Sequence, residues 1–261
     1  LGLNFDYQPG DFSRYYLRTL YSKFKDTETR NAQGLEFADP QGSGQRGEAE
    51  GWRDLKSRED TQEIQSYVLG GERILDQWTI SAQAGYSQAT EHDPGGIAGA
   101  RFVGDFDEVG FDGTRKPRLS VGNDFYDPAR FTLDEVEWEK VDGKDQEKNI
   151  RLDLARDYEF ADASQVKFGG KLSRRDKTSD TETWAYDGFD DISLADYQGS
   201  NVDYALGNFG NGISASAIKG LIGNLDRAAY YDEEASRIND FDMSEDINAA
   251  YLMNTLDTVS Y

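Results

Sequence analysis

The 261 residues carry a formal net charge of -22, one histidine and no cysteine, which excludes disulfides, thiolate catalysis and Cys- or His-rich metal sites. The same charge argues against nucleic acid, whose phosphates must be neutralised by Lys and Arg. Gly (27), Tyr (15) and Phe (14) are plentiful and aliphatic residues sparse, a balance that favours turns and half-buried strands over a helical bundle or a doubly wound core.

No window approaches the ~18 apolar residues of a spanning helix, and no basic-then-apolar leader opens the chain. Spanning strands need only about 9 to 11 residues each and alternate polar with apolar. They keep mean hydropathy low, as the value of -0.77 is here. The chain also starts inside an alternating run with no initiator Met, and is read as a piece of a longer protein.

In chain order, Leu1, Leu3, Phe5 and Tyr7 predict a strand near 1–8, and Pro9-Gly10-Asp11 a tight turn. A second strand near 14–24 places Tyr15, Leu17, Thr19 and Tyr21 on one face, with Leu20 and Phe24 on the other. Residues 25–62 are polar and without period, and are expected as a long loop. Strands near 64–75 and 78–90 follow around Asp76-Gln77; in the second, Trp78, Ile80, Ala82, Ala84 and Tyr86 alternate with polar or small residues.

Residues 91–147 form a second expected loop, in which Thr132-Leu133-Asp134-Glu135 is either a capping box opening a short helix or an extension of neighbouring strands. Strands near 148–158 and 165–175 make the clearest hairpin. Ile150, Leu152, Leu154, Val166, Phe168 and Leu172 fall on one face, opposite Arg151, Asp153, Lys167 and Lys171. A third loop, 176–246, contains a short helix within Ser214 to Ala229, where Ala215, Ile218, Leu221, Ile222 and Leu225 recur at helical spacing. Strands near 247–256 and 258–261 flank a turn at Asp257.

The fold expected is therefore all-β, an antiparallel up-and-down meander with short helices in long loops. Short and long connections alternate, so the short turns share one end of the sheet and the long loops the other. The three long segments hold 17 basic and 40 acidic residues, which leaves the strands nearly neutral. Charge confined to loops on one side is what an outer-membrane barrel requires, and Tyr7, Tyr15, Tyr21, Trp78, Tyr86 and Tyr158 are candidates for its aromatic girdles. They read equally well as ordinary strand aromatics.

The runs Tyr15 to Arg30, Tyr126 to Leu154 and Val166 to Trp184 resemble the barrel of TonB-dependent outer-membrane receptors. The likeness is greatest to the group found in Caulobacter-like and Xanthomonas-like proteobacteria. The resemblance implies part of a transmembrane barrel of about 22 strands, located in the bacterial outer membrane and serving active uptake of a saccharide or metal chelate. It implies contact with outer-membrane lipid and lipopolysaccharide, an extracellular small-molecule ligand, and dependence on the TonB complex through a plug domain. No plug, TonB box or terminal aromatic strand is found in the sequence, so the likeness covers wall and loops alone.

No enzymatic activity, cofactor or metal is expected. Asp105-Phe106-Asp107-Glu108 and Asp232-Glu233-Glu234 lack the spacing of a calcium loop, His92 has no nucleophile motif beside it, and the Gly-rich Gly42-Ser43-Gly44 lacks a phosphate loop's Lys. Ligand contact is assigned to Trp52, Trp138, Trp184 and Tyr186, whose rings beside carboxylates suit stacking on sugars; the competing reading is that they pack the long loops together. An acidic vestibule favours a neutral saccharide or a cationic complex. Two other functions compete: a soluble acidic β-protein that binds carbohydrate, and a small eight-stranded outer-membrane barrel serving adhesion or structure.

Overall fold

The computed structural model describes residues 1–160, 163–205 and 207–257. Its strands are β1 (Gly2–Gly10), β2 (Ser13–Phe37), β3 (Arg46–Leu75), β4 (Trp78–Phe111), β5 (Leu119–Ser120), β6 (Thr132–Asp157), β7 (Ala163–Tyr186), β8 (Gln198–Asn201), β9 (Asn211–Ile213), β10 (Tyr231–Asp232) and β11 (Phe241–Asp257). Two helices, α1 (Ala215–Ile222) and α2 (Glu233–Ile238), lie between β9 and β11.

The long strands form one antiparallel up-and-down sheet in the order β1, β2, β3, β4, β6, β7, β11. Strands β5 and β10 add short pairings to β4 and β7, and β8 with β9 makes a separate ribbon. Among the described residues the sheet is open, with β1 and β11 as its edges.

The strands outrun the alternation that predicts them. The expected loops at 25–62, 91–147 and 176–246 are corrected to connections at 38–45, 112–131 and 187–240, because β2, β3, β4, β6 and β7 all continue upward. Thr132 opens β6, so the capping-box helix does not form there. The predicted helix within Ser214 to Ala229 is α1, capped by Ser214 Oγ on the Ala217 N–H and followed by a 3-10 turn at Arg227–Tyr230. Asp257 closes β11 instead of turning the chain, and the strand expected at 258–261 lies outside the described residues.

Register ties the lower sheet into two faces. Phe5, Leu17, Leu69, Ala84, Ile150 and Leu172 are successive cross-strand partners. Rows below them carry Tyr7, Tyr15, Ala82 and Leu152, then Ile80, Leu154 and Phe168, and then Leu75, Trp78 and Val166. All six hairpin residues assigned to one face share it, and no layer of described residues folds over them: Ile150 is 62 % exposed and Leu172 61 %, while Leu154 and Val166 are half-buried. Aromatic pairs edge this band. Tyr67 stacks on Tyr86 (6.4 Å) on the side of the long connections, and Trp78 meets Phe168 edge-on (6.4 Å) near the turns.

The opposite face of the lower sheet is polar and paired. Arg14 and Arg18 hold Asp6, Tyr16 donates to Gln83, Ser81 to Glu72, and Arg151 to Asp153. Gly169 leaves room for the Tyr251 hydroxyl to pass across β7 and donate to Asp153 Oδ1 at 2.7 Å. Ion pairing here offsets charge without drawing on the apolar face.

Higher up, the face continuous with the bare band is covered. The connections at 112–131 and 187–230 fold over it and bury Leu55, Ile97, Phe102, Phe106, Phe125, Phe131, Val136 and Ile218 as one hydrophobic core. Phe106, Phe125 and Phe131 form a ring triad with centroids 5.2 to 5.7 Å apart. Phe102 is fully buried in this cap core, so Phe102→Ala should destabilise the cap by roughly 3–5 kcal/mol. Denaturant unfolding followed through the fluorescence of the cap tryptophans measures it.

Candidate functional site

Two arrangements of side chains invite a ligand, one on each face of the upper sheet. On the polar face, Trp52 of β3 lies flat across Gly34 of β2, its cross-strand partner, where any Cβ would collide with the indole. Arg101 of β4 sits over the ring at 5.3 Å and reaches Glu36 (3.4 Å) and Glu50 (3.8 Å). Trp52 is thus an aromatic platform flanked by carboxylates, half-buried and open on the polar side.

Further acids share this face. Asp54 pairs across β4 with Arg101, and Glu137 of β6 lies among Glu135, Glu139, Asp232 and Asp54. Burial and then these like charges push the Glu137 carboxyl above its ordinary value of 4.5, and burial pushes Asp54 up as well. The face therefore holds negative charge under strain, which a cation relieves. No group of three or more His, Cys, Asp or Glu side chains among the described residues is placed to hold a metal ion.

The other three predicted contacts lie on the capped face. Trp138 and Trp184 are cross-strand partners on β6 and β7. Arg227 sits 3.5 Å from the Trp184 ring centre and 6.0 Å from that of Trp138, and Lys219 of α1 is 5.6 Å from the latter. Trp184 and Tyr186 are buried, the second against Tyr230 at 4.9 Å. These three fasten the cap to the sheet. Register brings them together and sets Trp52 apart, on the other side.

Arg53, not singled out in the sequence, is the hub of the capped face. It is 5 % exposed, has no carboxylate partner among the described residues, and lies within 5.1 to 5.9 Å of the rings of Phe125, Tyr126, Phe131 and Phe209. Its guanidinium donates to the carbonyls of Phe209 (2.6 Å) and Phe125 (3.1 Å). Burial lowers its pKa to about 10, which leaves it charged at neutral pH. Tyr126, one of these rings, also lines a cavity of about 530 Å³ together with Phe37, Phe111, Tyr204, Gln33 and Arg118. Gln33 donates through Nε2 to the Asn208 carbonyl, while its buried Oε1 has no partner among the described residues.

No family model, curated protein or solved structure matches the chain.

The site yields two expectations. Arg53→Ala should cost about 2–4 kcal/mol through two lost charge-assisted hydrogen bonds, read by denaturant unfolding and by faster proteolysis within 202–209. For Glu137, a raised folded pKa means that the carboxylate's cost is absent below the ordinary value of 4.5 and present once pH rises through the folded pKa. Glu137→Gln should therefore raise the unfolding midpoint at pH 7 and leave it unchanged at acid pH.

Proposed function

We propose that this sheet is a section of the wall of an outer-membrane β-barrel of the TonB-dependent receptor kind. Its bare apolar face meets lipid, its paired polar face meets the lumen, and the acidic face of its tall extension lines the approach for a small nutrient ligand. In this reading the wall itself does no bond-making chemistry, and coupling to the TonB complex runs through a plug.

The observation that carries the reading is the bare band between its aromatic rims. Trp78 to Tyr86 on β4 spans about 27 Å of strand, or about 21 Å once tilted by ~40°, against an apolar belt of ~25 Å in known outer-membrane barrels. A row of Gln65, Gln88 and Gln146 begins above Tyr86, whose hydroxyl donates to Gln88 (2.9 Å) and accepts from Gln146 (2.8 Å). Rings pointing their hydroxyls toward a polar row at the edge of an apolar band suit a membrane interface. The free edges of β1 and β11 call for further strands, since unpaired backbone is not tolerated in hydrocarbon. For the ligand, the carboxylates around Trp52 favour a neutral or cationic molecule over an anion.

One observation favours a second reading. The cap covers the same face that is bare below, so more protein laid over the band would continue its core, as in a soluble β-protein. Lipids brominated in their acyl chains separate the two. In proteoliposomes the brominated chains should quench part of the tryptophan emission, and Trp78→Phe should abolish that part. Absence of quenching, together with a monomer soluble without detergent, would overturn the wall.

A further inference from the structure

The cavity of about 530 Å³ on the capped face departs from the chemistry of the rest of the chain. The sequence holds 50 acidic residues, yet no carboxylate among the described residues lines this cavity, and its one charged lining side chain is Arg118. Phe37, Phe111, Tyr126 and Tyr204 give it an aromatic wall, with Phe37 and Phe111 tilted against each other at 6.0 Å. Gln33 adds a polar group. Its Nε2 is committed to the Asn208 carbonyl, which leaves Oε1 as a buried acceptor without a donor among the described residues. Leaving a buried acceptor unpaired is costly, and a donor brought in by a ligand removes that cost.

The charge at this cavity is held in place. β4 and β5 pair at Phe111 with Leu119, and the loop that they close, 112–118, reads Asp-Gly-Thr-Arg-Lys-Pro-Arg. Its one acid, Asp112, is engaged within the loop: Oδ1 accepts the Arg118 N–H at 2.9 Å, and the Asp112 N–H donates to the Arg118 carbonyl at 3.0 Å. Arg115, Lys116 and Arg118 form no ion pair among the described residues. A basic turn therefore stands at the edge of an aromatic cavity. Arg118 is exposed while Gln33 Oε1 is buried, so the cation marks the opening and the acceptor lies inside.

We propose that this cavity binds a small hydroxyaryl carboxylate. The carboxylate pairs with Arg118, the ring lies among Phe37, Phe111, Tyr126 and Tyr204, and the hydroxyl donates to Gln33 Oε1. The volume is that of a small-molecule pocket. A cationic ligand would meet Arg118 with like charge, and a purely apolar one would leave both Arg118 and Gln33 without partners. The net charge of -22 opposes an anion at long range, so the local basic turn decides the class. This site lies on the face opposite Trp52. It does not rest on the wall reading, because the cap and the upper strands alone bound it.

Isothermal titration of the full-length protein with 4-hydroxycinnamate tests the assignment, with cinnamate (no hydroxyl) and 4-hydroxycinnamyl alcohol (no carboxylate) as comparisons. 4-Hydroxycinnamate should bind saturably at one site per chain, and each comparison should bind roughly tenfold more weakly, one hydrogen bond or ion pair being lost. Arg118→Gln should weaken 4-hydroxycinnamate by roughly tenfold and leave the alcohol unchanged. The fold should survive, since the Arg118 side chain is exposed. Arg115→Gln, on the same loop but outside the cavity, should shift the affinity by no more than about twofold, solvent and salt screening its charge.

The site is overturned if 4-hydroxycinnamate fails to saturate, or if Arg118→Gln leaves its affinity unchanged. Equal weakening by Arg115→Gln would reduce the turn to a general field and overturn it too, and cinnamate binding as tightly as 4-hydroxycinnamate would remove the hydroxyl from the ligand class.

Discussion

The structure depends on an antiparallel register that does not slip. From Ser13 against Arg73 to Phe37 against Ala49, β2 and β3 stay in step over their whole length. A shift of one residue anywhere along that run would reverse every side chain above it. Because none occurs, the face that carries Leu17 and Leu69 below is the face that carries Leu35, Arg53 and Leu55 above. Both strands thus serve two surroundings in turn, bare at one end and covered at the other. On β4 the register does shift, between Asp93 and Gly96 and again between Ile97 and Gly99, and there the buried positions lose their strict period of two.

Charge is handled differently on the two faces. In a chain with a net charge of -22, cations would be expected to seek carboxylates, as Arg175 does with Asp145 and Lys140 with Glu182. Under the cap they sit on rings instead: Arg53 among four, Arg227 on Trp184, Lys219 on Trp138. A ring face accepts a cation without adding a second desolvated ion, so a covered surface can keep its positive charge without a buried pair. The carboxylates freed by this arrangement accumulate on the polar side, around Trp52 and Glu137.

Where one face meets bare space and the other meets charge, the residues spell out their own placement. The hairpin holding Ile150 to Leu172 was legible for that reason. The upper strands were not, because the cap blurs the alphabet. The covered positions of β3 are Ala49, Gly51, Arg53, Leu55 and Ser57. Gly51 is there because Phe106 and Phe125 close over it, and Arg53 is a charged residue in a core position. No hydropathy pattern finds a strand in such a run. The tryptophans show the same limit: Trp138 and Trp184 meet only through the β6–β7 register, and Trp52 departs from them only because it stands an odd number of residues from Tyr67 along an unbroken strand. Residue type alone made all four look alike.

Helix α2 has a consequence for the shape of the sheet. β10 and β11 pair with the same side of β7, at Trp184 and Thr183 and then from Ser179 downward, so they are one strand with a helix inserted in it. In the gap, Ser236 Oγ accepts the Thr183 N–H (2.9 Å) and Asp240 Oδ1 accepts that of Thr181 (2.7 Å). A strand pairing with β11 on its far side meets a regular ladder only up to Phe241, while β7 climbs on to Tyr186. The pairing edge is therefore stepped, regular along β11 and interrupted by a helix above it. Above Phe241 the edge beside β7 is carried by α2 and β10 in place of a regular ladder, so a further strand could pair only with the lower part of that edge.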